Sequence, residues 1–238
     1  MTDTVATARK AGAWYLGLAI TGMLAFLALR PQLIDADDPA ATLANLTEHT
    51  TQAHVLVMIE MGVVITQALA AVYFYKLFRP ISPTAAYATA TFGMVNAVAI
   101  MASGAFMATA NSVATNASLA PGGDAAGSVG LMYELSANSW GMGNLFFGLW
   151  LIPMGWVAVT SARFPGLLGW ILVAGGAGYV VSGLIAYGIA DAPGALVSAL
   201  TLPATIGEFW MVGYLLLKGI RPTPVLTTRG SEVEAAAS

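Results

Sequence analysis

Two carboxylic acids, Glu60 and Glu208, lie deep inside long apolar runs. A charge at the centre of a membrane helix costs roughly 2.5–3.5 kcal/mol even on lenient insertion scales, so an acid kept there calls for a role. That role is either a site for a proton or small molecule, or a neutral carboxyl hydrogen-bonded to a neighbouring helix. Gln67 follows Glu60 by seven residues and so shares its helix face, while Thr201, Thr205 and Glu208 form a polar stripe of their own. Asn96 and Asn144 add amides in two further runs. Both acids are expected to point inward, to be protonated, to bond with Gln67, Thr205, Asn96 or Asn144, and to line one outward-opening cavity.

The two histidines, His49 and His54, fall in the string Glu48-His49-Thr50-Thr51-Gln52-Ala53-His54. Imidazole suits zinc or iron. A separation of five residues does not stack two ligands on one helical face, and no His-Glu-x-x-His pattern is present. A metal would need Glu134 or Asn138 as well, so no cofactor is expected, with a site at His49, His54 and Glu134 kept as an alternative. With no cysteine in the chain, disulfides, thiolate metal sites and cysteine nucleophiles are excluded. Phosphate-binding glycine loops and a Gly-x-Ser-x-Gly elbow are missing too, and no lysine lies within a span.

The elements that must position these residues follow from composition. Of 238 residues, 58% are hydrophobic and 9% charged, against about 25% charged in soluble domains. Such a chain is an integral membrane protein. A spanning helix needs about 20 apolar residues, and six runs qualify: 11–29, 53–75, 84–109, 135–160, 165–190 and 195–217. No ten-residue alternation suggests barrel strands. The expected fold is all-α, a six-helix transmembrane domain over residues 1–222 followed by a disordered tail at 223–238.

Arg9, Lys10, Lys76, Arg79, Arg163, Lys218, Arg221 and Arg229 all fall at one side of these spans, leaving Arg30 alone on the other with most of the acids. The positive-inside rule then puts both termini in the cytoplasm, in the inner (plasma) membrane. The first run is long and lacks a cleavage site before Arg30, so it is expected to remain as a helix. The two long loops, 30–52 and 110–134, would face outward, the second with little regular structure because it is rich in Ala, Gly, Ser and Asn.

Small residues recur every fourth position at Ala13, Gly17, Thr21 and Ala25, and at Ala174, Gly178, Ser182 and Ala186. Such seams serve packing within the bundle, or alternatively a homo-oligomer or membrane partner. Pro153 and Pro203 are expected to kink their helices. Trp140, Trp156, Trp170 and Trp210 read as interfacial anchors or lipid-facing bulk. No basic cluster supports nucleic-acid binding.

Several segments resemble an uncharacterised bacterial membrane-protein family, catalogued as domain of unknown function 4386. They are Tyr75-Lys76-Leu77-Phe78-Arg79-Pro80 with Ser82-Pro83, Asn138-Ser139-Trp140-Gly141-Met142-Gly143-Asn144, Phe164-Pro165-Gly166-Leu167-Leu168-Gly169 and Ile206-Gly207-Glu208-Phe209-Trp210. The resemblance implies a helical membrane protein and brings no activity, ligand or catalytic residue with it. Three functional readings stay open: a binding or transport protein for a small molecule or proton, a non-catalytic membrane subunit or accessory protein, and a metal-dependent membrane enzyme.

Overall fold

The computed structural model describes residues 2–222; the expected tail at 223–238 lies outside them. The described residues form α-helices and no strand: α1 (Thr2–Met23), α2 (Arg30–Leu33), α3 (Pro39–Glu48), α4 (Thr50–Phe78), α5 (Pro83–Thr115), α6 (Ala125–Thr160), α7 (Gly166–Gly188) and α8 (Gly194–Leu217), with short 3₁₀ turns between α5 and α6. A π-helical stretch, Leu24–Leu29, joins α1 to α2. Six helices among the described residues are long and apolar enough to cross a membrane, the composite over Asp3–Leu33 and α4 to α8. In hydrocarbon every backbone N–H and C=O must be satisfied within its own segment, and an uninterrupted apolar helix does this. Large apolar side chains face outward along these helices, among them Leu27, Leu184 and Leu217, as expected for walls that meet lipid tails.

The helices start where the chain offers caps. Asp38 accepts hydrogen bonds from the amides of Ala40 and Ala41 at 2.9 and 3.0 Å, with Pro39 in the first turn of α3. Ser82 precedes Pro83 in the same way for α5, and Asp124 accepts from Gly127 N at 2.9 Å for α6. These caps correct the expectation of little regular structure over 110–134 and add helices to the loop at 30–52. Residues 30–52 contain α2 and α3, and 110–134 is helical at both ends, since α5 runs on to Thr115 and α6 begins at Ala125. Gly130 belongs to that extension: a Cβ there would meet Pro39 at 3.0 Å, so the glycine lets α3 lie against α6.

Chain neighbours α4 to α8 pack in sequence, and α1 closes the ring by touching both α4 and α8. The α6–α7 crossing is made by paired glycines. A Cβ on Gly148 would stand 2.6 Å from the Gly176 carbonyl oxygen, and one on Gly155 would stand 2.6 Å from that of Gly169. The small-residue stripes serve this same packing. Gly17 lies against Thr66 of α4, and the Ser182 hydroxyl donates to the Val197 carbonyl of α8 at 3.1 Å. Pro153 and Pro203 both sit inside continuous helices.

One end of the ring gathers the cations. There Arg163 Nε donates to the Arg221 carbonyl at 3.1 Å, Arg221 N donates back to the Arg163 carbonyl at 3.1 Å, and Phe164 packs edge-on against Phe78. Just inside it, Tyr15, Phe74 and Trp150 form a buried aromatic triangle with ring centroids 5.5 Å apart on each side.

A candidate binding cavity and a separate buried ion pair

Glu60 faces the interior and is fully buried. Its partner is Arg30, which the sequence places in an exterior loop beyond a first span ending at Leu29. The helix instead continues through the π-helical stretch, where Arg30 N donates to the Ala25 carbonyl five residues back. This wider turn re-aims the following residues. Arg30 Nε donates to Glu60 Oε1 at 3.1 Å, and Nη2 bonds the same oxygen. Nη2 also donates to Ser103 Oγ of α5 at 3.2 Å and Ser136 Oγ of α6 at 3.1 Å, and the two hydroxyls lie 2.7 Å apart. The guanidinium stacks over the Phe26 ring, 4.8 Å from its centroid.

The expectation of a protonated Glu60 rests on an acid without a cationic partner, and Arg30 supplies one. An arginine stays charged in any protein environment, and a buried cation needs a counter-charge, which the Glu60 carboxylate supplies. The expected bond between Glu60 and Gln67 does not form: Glu60 Oε1 is taken by Arg30, while Glu60 Oε2 and both amide atoms of Gln67 have no hydrogen-bond partner.

Glu208 occupies a different place. Its Oε1 accepts the Tyr15 hydroxyl at 2.6 Å, at the point where α8 meets α1. From there a cavity of about 440 Å³ extends through the middle of the ring, with walls from all six spanning helices. Its polar lining includes Glu208, Gln67, Asn96, Asn144 and Thr205; the rest is mostly aliphatic and aromatic. Glu60 is not part of that lining, so the single cavity expected for both acids is not found. Glu60 and Gln67 do share the inward face of α4, but seven residues, about 10 Å of helix rise, set them at different depths.

Gln67 is the unusual member of the lining. It is fully buried, and neither its amide oxygen nor its amide nitrogen has a protein partner. Buried amides without a partner are rare, and each such group costs about 1–3 kcal/mol. Trp140 also lines the cavity, with a buried indole N–H that lacks a partner; it is thus not the lipid-facing anchor the sequence suggests, whereas Trp156 and Trp170 are half-exposed on the outside.

The cavity is not sealed. Met23, Phe26 and Leu27 on the α1 side and Thr205 and Phe209 on α8 line it and are also exposed at the outer face of the ring. The two helices touch where Gly12 meets Leu215 and Leu216 and where Tyr15 meets Glu208. Beyond that contact the cavity opens between them, at a level flanked by apolar helix faces.

The remaining candidates are not brought together. His49 separates α3 from α4 and is exposed; His54 is exposed, its Nδ1 lying 2.8 Å from the Thr50 carbonyl oxygen; Glu134 is exposed on α6. Among the described residues no group of three or more His, Cys, Asp or Glu is placed to hold a metal ion. Arg30, Tyr15, Ser103 and Ser136 are the functional neighbours that sequence reading misses. A signal existed for Arg30: it is the lone cation on its side of the spans, set against a buried acid. For the tyrosine and the serines there was none, since such residues are ordinary in membrane helices.

No curated protein and no solved structure matches this chain. The family model described as a domain of unknown function, DUF4386, matches residues 10–219, from the third turn of α1 to just past the end of α8, and this multi-pass helical membrane protein belongs to that family.

Proposed function

We propose that the protein binds, and in binding carries or presents, a small molecule in the cavity at the centre of its ring. The observation that carries this reading is the Gln67 side chain, buried at the cavity wall with a donor and an acceptor that no protein group satisfies. Apolar walls with a few convergent polar groups are the common make-up of small-molecule sites. Glu208, Asn96, Asn144 and Thr205 are the further contacts of this site, and Glu208 is its acid. Glu60 belongs instead to the framework: with Arg30 it ties the end of the first span to α4, α5 and α6. In this reading both termini lie in the cytoplasm, because eight cations flank the apolar runs on one side of the sequence pattern and Arg30 stands alone on the other. The membrane is the inner (plasma) membrane.

Native mass spectrometry of gently extracted protein tests the proposal. A bound mass is expected on the wild type and absent from Gly22→Phe. Gly22 lines the cavity and has no atom within 4 Å of a built Cβ, so a phenyl group there occupies space without displacing the fold. A bound mass that persists in Gly22→Phe, or none on the wild type under extraction that retains lipid, would count against the reading.

A further inference from the structure

The charge of the cavity and the position of its mouth together narrow the ligand. We infer that the cavity takes a lipophilic amine in its cationic form, entering sideways from the bilayer between α1 and α8; this inference rests on the small-molecule reading above. Three features of the lining carry it. Glu208 is the sole ionisable carboxyl on the wall, and no lysine, arginine or histidine lines the cavity, so nothing there favours an anionic head group. The buried cation Arg30 packs over the Phe26 ring and already has its counter-charge in Glu60. Aromatic rings surround the remaining space, with Phe26, Trp140, Phe147, Tyr179 and Phe209 all on the wall, and ring faces attract an ammonium group while offering nothing to a carboxylate or phosphate.

The route follows from where the polar groups sit relative to the opening. Glu208 and Tyr15 lie at the closed end, where α1 and α8 touch, and the exposed Leu27, Met23 and Thr205 lie toward the mouth. An ammonium head can donate to Glu208 while its hydrocarbon tail lies along the apolar α1 and α8 walls and leaves toward lipid. Tyr15 donates to only one carboxyl oxygen, and a carboxylate has about four acceptor positions, so capacity remains for the head group. Gln67 offers its amide oxygen as a second acceptor from the α4 part of the cavity wall.

The test compares three probes with one tail and three head charges: octylammonium, octanol and octanoate. Saturable binding of each radiolabelled probe is measured by equilibrium dialysis with the protein in nanodiscs of uncharged phosphatidylcholine, after subtraction of empty nanodiscs. Octylammonium is expected to bind at least about tenfold more tightly than octanol, the worth of one charge-assisted hydrogen bond, with octanoate weaker still. Glu208→Gln keeps an oxygen for Tyr15 and should bring octylammonium to the level of octanol. Equal binding of all three probes, abolished by Gly22→Phe, would leave the cavity as a ligand site and overturn the cationic preference. An octylammonium preference unchanged in Glu208→Gln would overturn the assignment of Glu208. Saturable binding of none of the three overturns the lipophilic amine, and the native mass experiment then decides separately whether the cavity holds a ligand at all.

Discussion

Arg30 and Glu60, thirty residues apart in the chain, meet as a buried ion pair where four helices converge, and two serine hydroxyls accept further bonds from Arg30 Nη2. The pair joins the π-helical end of the first span to α4, and through Ser103 and Ser136 to α5 and α6. Removing one partner is therefore expected to harm the protein more than removing both. Glu60→Gln leaves an uncompensated buried guanidinium and should cost about 3–5 kcal/mol, whereas Arg30→Met combined with Glu60→Met should lie close to the wild type. Unfolding midpoints in one detergent check the order; a double variant less stable than Glu60→Gln would contradict it.

Gln67→Leu is expected to act in the opposite direction on stability. Leucine fills a similar volume and removes two buried groups that have no protein partner, so the variant should gain roughly 1–3 kcal/mol. It should lose ligand binding at the same time. A gain in melting temperature together with lost binding marks a residue kept for the site and not for the fold, while a clear loss of stability would show that the amide has a structural duty.

The glycine crossing of α6 and α7 should tolerate no side chain. Gly148→Ala and Gly155→Ala each put a methyl group 2.6 Å from a carbonyl oxygen of the facing helix, and overpacking of this kind costs about 1–3 kcal/mol. Gly183→Ala in the same α7 has no atom within 4 Å and should be neutral, or stabilising by up to about 1 kcal/mol through helix propensity. Thermal unfolding of the three variants tests the contrast. Equal behaviour of all three would refute it.

The proposed orientation has a direct check, because the chain has no cysteine of its own. Single cysteines introduced as Gly122→Cys, between α5 and α6, and as Ser161→Cys, between α6 and α7, lie at opposite ends of the ring. An impermeant maleimide should label the first in intact cells and the second only after permeabilisation. The reverse pattern would invert the protein.

By itself the sequence determined the architecture. Six apolar runs bounded by Lys76, Pro80, Pro83, Pro165 and Pro193 leave the chain no means of satisfying its backbone in lipid except as six helices, and the periodicity of α4 already put Glu60 and Gln67 on one inward face. Segments outside the hydrocarbon were less legible. Residues 110–134 look like a loop by composition, yet α6 starts at Ala125 because Asp124 caps it and α3 packs on Gly130, a contact between distant parts of the chain. Only the tertiary structure decided what each acid does. Helical periodicity says which residues share a face, but the depth, rotation and neighbour of that face are set by packing between helices far apart in sequence. So Arg30, turned inward by a π-helical stretch, pairs with Glu60, while Glu208, met by Tyr15 from the first span, is left facing the cavity.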